Sequence, residues 1–208
     1  MWAYCLFMYR IALTGNVAAG KSSVVRVWRR LGIPVIESDE LARIAVEPGS
    51  PALREIVEVF GEDVLDESGA LHRAAMRRII LRDEARRRDL EAIVHPVVAR
   101  LRVERERDLQ QAGEPFVVNE IPLLFERGLE GDFHRIVLVD APPEVRLQRL
   151  LRERGLPPDD AAGLLRAQLS AEVKRQKAHL IIENAGTLEE LEVRAEMAGR
   201  ELMREFGG

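Results

Sequence analysis

Short apolar segments alternate along the chain with longer segments whose apolar residues recur every three or four positions. The short segments are bounded by Gly, Pro or charged residues, as buried strands are. They cover residues 10–14, 34–36, 116–118, 136–139 and 180–182. Five strands separated by helices predict an α/β fold with a parallel sheet joined by right-handed crossovers.

Helical periodicity is clear after the first, fourth and fifth expected strands. Val24, Val25 and Trp28 recur at helical spacing, and Gly32 ends that segment. A second helix is predicted over residues 144–154, followed by a charged helical region over 157–177. Near the end of the chain, Thr187 and Glu190 have the spacing of a capping box and predict the start of a terminal helix.

Residues 40–111 differ in character from the flanking sequence. They are rich in Arg and Glu, contain few β-type runs and show apolar residues at helical spacing. We therefore expect a helical insertion between two strands of the sheet, within a single unit that spans residues 1–208.

Several chemically useful residues fall at the ends of the expected strands. Gly15, Asp39, Glu120, Asp140 and Asn184 all follow or close such a segment. Ligands of parallel sheets bind at the carboxyl ends of the strands, so these residues predict where the functional site lies.

The first strand is followed by a phosphate-binding pattern. The spacing G-x-x-x-x-G-K-[ST] is met in full by Gly15-Asn16-Val17-Ala18-Ala19-Gly20-Lys21-Ser22, which we call the P-loop. Such a loop turns backbone N–H groups towards a triphosphate, and the following helix N-terminus adds partial positive charge. Lys21 is expected to contact the outer phosphates and Ser22 to ligate Mg²⁺, which predicts a nucleoside triphosphate site over Gly15–Ser23.

Asp39 is a candidate for orienting a hydroxyl nucleophile, because it follows the second strand and so belongs to the same sheet edge as the P-loop. An N-cap role on the next helix is the equally supported alternative. His95 could be a helix-end or packed histidine, and Arg43 and Arg73 could be phosphate contacts or solvated surface residues.

Composition narrows the class of protein further. The formal net charge of −4 gives no general attraction to nucleic acid or to a membrane surface. The single cysteine, Cys5, cannot form an internal disulfide, and a cytoplasmic location is expected. We expect small-molecule partners, no nucleic acid or membrane, and a monomer or a weak homo-oligomer.

Beyond the P-loop, the chain carries a series of short motifs: Asp39-Glu40-Leu41-Ala42-Arg43, Val46-Glu47-Pro48-Gly49, Gly69-Ala70-Leu71-His72-Arg73, Leu90 through His95-Pro96, Ile121-Pro122-Leu123-Leu124-Phe125-Glu126, Val139-Asp140 through Arg149-Leu150, Arg166-Ala167-Gln168 and Glu183-Asn184-Ala185-Gly186. With the P-loop, these motifs resemble the dephospho-CoA kinase family of P-loop small-molecule kinases, from about residue 10 to residue 186. The order of these motifs is more specific than the P-loop, which indicates only a nucleoside triphosphate.

The resemblance implies a P-loop NTP hydrolase-type fold and transfer of phosphate from ATP, with Mg²⁺, to the 3′-hydroxyl of the ribose of dephospho-CoA. It implies that Asp39 is the catalytic base, with Lys21 and Arg149 also in the catalytic set. On the acceptor side it implies a substrate site that comprises Asp39, Arg43, Arg73, His95, Pro122, Leu123 and Leu124.

The same resemblance divides the chain into functional regions. Residues 10–39 and 112–208 would form the nucleotide-binding core, and residues 40–111 the CoA-binding insertion. Residues 149–177 would form a lid whose arginines close on the phosphates, and Asn184 would contact adenine.

Some positions depart from the family's usual pattern. Asn16, Ala18 and Ala19 stand where the P-loop commonly has glycine or serine, and Glu153 stands where the lid commonly has arginine. Arg149, Arg152 and Arg154 lie on one predicted helix, so we expect that they do not all point inwards.

Two other interpretations of the sequence stay open. One is a P-loop kinase for another acceptor, such as a nucleoside monophosphate or shikimate. The other is a nucleotide-dependent switch without a small-molecule acceptor, although no guanine-selecting N-K-x-D tetrad is evident.

Overall fold

The structure, a computed structural model, describes residues 7–207, so Cys5 lies outside the described residues. The chain divides into two compact units: a sheet-containing unit that ends at Ile36 and resumes at Asp108, and a helical unit of Glu37–Arg107. We call them the nucleotide unit and the helical unit, after the motifs they carry.

The nucleotide unit is built on a five-stranded parallel sheet with the order β2-β3-β1-β4-β5. The strands are β1 Tyr9–Gly15, β2 Val35–Glu37, β3 Phe116–Glu120, β4 Arg135–Asp140 and β5 Leu180–Glu183. All five expected strands are confirmed, with bounds that shift by one or two residues. The register places Leu13 opposite Glu120 on one side of β1 and Gly15 opposite Val139 on the other.

The helices of this unit follow strands β1, β4 and β5. They are α1 Lys21–Arg30, α6 Pro143–Arg152, α7 Pro158–Arg166, α8 Ala171–Lys177 and α9 Leu188–Phe206, with a short 3-10 turn at Glu130–Asp132. The charged region 157–177 forms two helices because Ser170 caps α8, its side chain accepting the N–H of Val173. The predicted capping box of Thr187 and Glu190 starts α9.

Opposite faces of the sheet bury separate apolar clusters. Ile11 and Leu13 pack with Trp28 and with residues of α9, and the Trp28 indole N–H donates to Ala195 O at 2.7 Å. Ala12 points to the other face and packs with Leu124. Successive side chains of a strand point to opposite faces, and here both faces are buried. The short run of β1 is therefore apolar throughout.

The helical unit contains α2 Ser38–Ala45, α3 Pro51–Phe60, a 3-10 turn at Glu62–Val64, α4 Arg73–Arg82 and α5 Glu84–Gln111, which extends past the unit boundary. Its own core is lined by Ile56, Val64, Met76 and Ile93. None of the helices in the described part of the chain combines the length and apolar character that crossing a membrane requires.

Candidate nucleotide and acceptor sites

The two glycines of the P-loop are required by close approaches. A Cβ on Gly15 would lie 2.4 Å from Val139 O, because β1 and β4 pass side by side where the loop begins. Gly20 has φ of 103°, and a Cβ there would lie 2.3 Å from Asn184 Nδ2. The sequence pattern therefore reflects real steric limits at both ends of the loop.

The loop leads directly into α1, which begins at Lys21 without any side-chain cap. Uncapped N–H groups of a first helical turn are suited to an anion. The Lys21 ammonium donates to Gly15 O at 3.0 Å and lies 3.9 Å from Glu120 Oε1, so it is held across the loop. This places a cation and a helix N-terminus together.

A cavity of about 660 Å³ opens beside the loop, entirely within the nucleotide unit. Its volume falls within the range of small-molecule sites. It is lined by P-loop and α1 residues, by α6 and the segment after it, and by the residues between β5 and α9: Ala18, Ala19, Gly20, Lys21, Ser22, Ser23, Arg26, Val145, Gln148, Arg149, Arg152, Glu153, Arg154, Asn184, Gly186, Leu188 and Leu191. Cationic side chains and helix-start backbone suit a polyphosphate.

The three candidate arginines all line this cavity, so the expectation that they do not all point inwards is wrong. Helix α6 ends at Arg152, whereas the prediction continued it to Arg154. Arg149 and Arg152 are three residues apart on one helical face, and Arg154 reaches the cavity from beyond the helix end. Glu153 lines the same cavity.

Arg149 and Asn184 are bound to the P-loop and to each other. Arg149 Nη1 donates to Ala18 O at 3.2 Å, and Arg149 Nη2 donates to Asn184 Oδ1 at 3.1 Å. Asn184 is 2 % exposed and donates from Nδ2 to Ala19 O at 2.8 Å. The amide of Asn184 is therefore engaged by protein groups at the cavity wall.

The segment after β3 carries the Ile-Pro-Leu-Leu-Phe-Glu motif. Pro122 and Leu123 are half-buried, whereas Leu124 is fully buried in the apolar cluster beneath the sheet. Only Pro122 and Leu123 therefore offer side-chain surface to a ligand, and Leu124 serves packing in this conformation.

Glu126, the last residue of that motif, forms a buried ion pair with Lys174. Its Oε1 lies 2.7 Å from Nζ of Lys174, a side chain with no solvent exposure, and accepts the N–H of Leu169 at 3.1 Å. Burial opposes ionisation of Glu126, but the contacts with Lys174 and the backbone N–H groups outweigh it and hold its pKa below the ordinary carboxyl value. The pair joins α8 to the segment after β3.

Asp140 closes β4 and is also paired. Arg175 of α8 donates to Asp140 Oδ2 at 2.8 Å and to Glu183 Oε1 at 2.6 Å. Hydrogen bonds to Glu183 and Asp140 raise the pKa of Arg175 above its ordinary value. Asp140 is thus a structural partner of Arg175 at the ends of β4 and β5.

The candidate acceptor residues of the helical unit are held differently. Asp39, Arg43 and Arg73 are exposed, and no hydrogen bond or ion pair of their side chains to other residues in 7–207 is seen. Glu37 occupies the N-cap position of α2 without a side-chain cap, and Asp39 lies inside the first turn. The alternative that Asp39 caps this helix is therefore wrong.

His95 does not end a helix, contrary to one of the alternatives drawn from its position before a proline. Helix α5 continues from Glu84 to Gln111 with Pro96 inside it. His95 is half-buried on this helix, in the unit that also carries Asp39. A proline inside a helix removes one backbone hydrogen bond and crowds the carbonyl of residue i−4, yet the 28-residue helix α5 continues through Pro96.

The protein's own contribution to a metal site is small. Among residues 7–207 no group of three or more His, Cys, Asp or Glu side chains could hold an ion. Ser22 is exposed at the cavity wall beside Lys21. One hydroxyl next to a phosphate cradle fits Mg²⁺, which is commonly held by substrate phosphates, water and one or two protein oxygens.

Gln168 contacts the P-loop, although its sequence context indicated no role for it. Its Oε1 accepts the N–H of Val17 at 2.8 Å, across 151 positions of sequence. The available signal was its place in the Arg166-Ala167-Gln168 motif, which carries family resemblance but no evident chemistry.

A family model and relatives of similar sequence indicate the same family. A family model described as "CoaE: Dephospho-CoA kinase" matches residues 9–190. A protein named dephospho-CoA kinase from Anaeromyxobacter dehalogenans is 43% identical over 186 residues, which cover 89% of this chain and 88% of that protein. The crystal structure of TT1252 from Thermus thermophilus is 39% identical with a TM-score of 0.80, covering 97% of this chain and 99% of that one. A dephospho-CoA kinase structure from Campylobacter jejuni, at 23% identity, has the same fold with a TM-score of 0.72 over 96% of this chain and 99% of that one.

Proposed function

Since the chain belongs to the dephospho-CoA kinase family and phosphorylates dephospho-CoA with ATP as the last step of CoA biosynthesis, we propose that the cavity beside the P-loop is its ATP site and that Asp39 is the catalytic base. The two other interpretations left open by the sequence, a kinase for another acceptor and a nucleotide switch, are wrong.

The main support for the ATP site is that three features lie at the same cavity. These are the uncapped start of α1, the Lys21 ammonium and the arginines of and after α6. Together they supply backbone donors and cations to the triphosphate, with Gly15–Ser23 as the contact segment. The polar atoms of Asn184 already bind protein groups, so we assign adenine to the neighbouring wall at Gly186, Leu188 and Leu191.

Mg²⁺ would be held by Ser22 together with phosphate oxygens of ATP. When bound, it would neutralise charge on the phosphates.

In the reaction, the ribose 3′-oxygen bonds to the γ-phosphorus of ATP while the bond from that phosphorus to the β–γ bridging oxygen breaks. ADP leaves, and the hydroxyl proton passes to the Asp39 carboxylate. Lys21 and Arg149 stabilise charge on the transferred group. Asp39 follows the end of β2 by two residues, and its exposed carboxylate is open to a substrate hydroxyl.

For the acceptor, we propose that the helical unit binds the CoA moiety. Arg43 and Arg73 would contact its phosphates, His95 would lie in the same site, and Pro122 and Leu123 would supply apolar contacts. The exposure of the two arginines supports this, because substrate can pair them. Residues 149–177 remain our proposed lid, and a cytoplasmic monomer or weak homo-oligomer remains the expectation.

A coupled assay with ATP and dephospho-CoA tests this function, with the product identified as CoA by mass. AMP, CMP and shikimate serve as competing acceptors. With ATP present, we expect dephospho-CoA to be the only one of the four acceptors that is phosphorylated. Efficient phosphorylation of another acceptor instead of dephospho-CoA would refute the assignment.

A further inference from the structure

Three side chains from outside the P-loop bind the backbone of three consecutive loop residues. Gln168 Oε1 accepts the N–H of Val17, Arg149 donates to Ala18 O, and Asn184 donates to Ala19 O. Arg149 and Asn184 also line the cavity, whereas Gln168 and Val17 are absent from the lining found among the described residues. Gln168 therefore contacts the loop outside the wall of this cavity.

The middle of the loop needs such support. Ala18 has φ of 59°, and it is the one non-glycine residue with positive φ among the described residues. A left-handed conformation is unfavourable for a residue with a Cβ. The bonds to the Val17 N–H and the Ala18 carbonyl hold the backbone on both sides of this strained residue.

Gln168 is itself held in place by the buried ion pair. The next residue, Leu169, donates its N–H to Glu126 Oε1 at 3.1 Å, and that same oxygen lies 2.7 Å from Lys174 Nζ. Gln168 lies between the end of α7 at Arg166 and the start of α8 at Ala171. In this conformation the segment that carries Gln168, which is part of the proposed lid, is thus held by a contact independent of the P-loop.

We propose that Gln168 is a positioning residue for ATP. Its amide oxygen engages the N–H of Val17 and so keeps the P-loop in the conformation that aims its remaining N–H groups at the phosphates. The inference rests on the proposed ATP site, and it adds a residue that acts on the nucleotide only through the loop. Loss of this bond weakens binding of the polyphosphate and leaves the acceptor untouched.

The test compares Gln168→Met with Gln111→Met. Methionine matches the length of glutamine without its acceptor oxygen, and Gln111 is an exposed residue of the nucleotide unit at the end of α5, outside the proposed lid, which makes it a matched control. Titration calorimetry gives the Kd for ADP, steady-state kinetics give KM for ATP and for dephospho-CoA, and thermal unfolding gives Tm.

For Gln168→Met we expect the Kd for ADP and the KM for ATP to increase about tenfold, because this change corresponds to the loss of one net hydrogen bond. We expect KM for dephospho-CoA within about twofold of wild type and Tm within about 2 °C of wild type. Gln111→Met should match wild type in all four. If Gln168→Met is not recovered folded, Gln168→Asn carries the same test, because its shorter side chain cannot reach Val17.

Two results would overturn the role of Gln168: ADP affinity equal to that of the control, or a parallel rise of both KM values with a large fall in Tm, which would indicate general support of the fold. A wild-type protein that does not bind ADP would instead refute the ATP site itself. The two failures are therefore distinguishable.

Discussion

The nucleotide unit and the helical unit hold their candidate site residues in opposite ways. In the nucleotide unit, the side chains of Lys21, Arg149 and Asn184 bind backbone carbonyls of the P-loop. In the helical unit, Asp39 and Arg43 are exposed, and their side chains show no partner among residues 7–207.

This difference separates preorganisation from recognition. The proposed donor-side groups are fixed by the fold, so they would act on a nucleotide without reorganisation. The proposed acceptor-side charges are exposed, so they add little to folding and would be free to pair with substrate. Substitutions that break contacts in the nucleotide unit should therefore lower stability, whereas substitutions of the exposed acceptor-side residues should lower activity with little change in stability.

The largest expected effect is that of Asp39→Asn. Removing the base should lower kcat by about 10³-fold, within the range for general-base catalysis. The Kd for ATP and Tm should stay near wild type, because the carboxylate is exposed and shows no bond within residues 7–207. Asp63→Asn, an exposed aspartate in the same unit, is the control and should retain activity. A collapse of ATP affinity with turnover of the bound complex intact would instead place Asp39 in the nucleotide site.

Glu126→Gln tests the nucleotide unit, where we expect a substitution to lower stability. It leaves the Lys174 ammonium buried without its counter-charge, and we expect the free energy of unfolding to fall by about 3 kcal/mol in urea titration. The control is Glu130→Gln, whose pair with Lys177 is partly exposed and should contribute less than about 1 kcal/mol. Equal losses for the two variants would contradict the comparison.

The same ion pair has a defined pH dependence. The pKa of Glu126 lies below the ordinary carboxyl value of 4.5, so its contribution to stability is complete above that pH. It is lost as the pH falls through the lower pKa of the folded state. The stability difference between wild type and Glu126→Gln should therefore be full at pH 7 and shrink below about pH 4.5. A difference that stays constant down to about pH 3 would contradict this account.

Lys21→Met should lower kcat/KM for ATP by about 10²-fold, since one donor to the transferring phosphoryl group is worth about 2.7 kcal/mol or more. KM for dephospho-CoA should change little. Steady-state kinetics with each substrate varied in turn provide the measurement, and unchanged turnover would refute the P-loop assignment.

The smallest effect is expected from a helix cap in the helical unit. The side chain of Ser50 accepts the N–H of Leu53 at the start of α3, so Ser50→Ala should cost about 1 kcal/mol of stability. Ser50→Gly should cost only about a few tenths of a kcal/mol. Calorimetric unfolding measures both, and a larger loss in the glycine variant would show that backbone freedom outweighs the cap.

The sequence predicted the sheet because each strand is a short apolar run that ends in a turn or charged residue. β1 and β4 are the clearest cases, since both faces are buried and the alternation of polar and apolar residues disappears. The P-loop was equally predictable, because Gly15 and Gly20 are imposed by contacts that exclude any Cβ.

Other features could not be predicted because they depend on contacts between distant residues. The bond from Val17 to Gln168 and the pair of Glu126 with Lys174 join segments far apart in sequence, and neither has a local pattern. The helix through Pro96 was missed because proline usually marks a boundary. The cavity position of Arg154 was missed because α6 ends at Arg152, earlier than its charge pattern indicates.

The central claim is that a carboxylate of the helical unit receives the proton of the acceptor hydroxyl while the P-loop holds the γ-phosphoryl donor. A crystal structure with a non-hydrolysable ATP analogue and dephospho-CoA tests it most directly. We predict the ribose 3′-oxygen within about 3.2 Å of an Asp39 carboxylate oxygen and the triphosphate along residues 15–22. A ternary complex in which that hydroxyl contacts another base, with Asp39 facing solvent, would contradict the account.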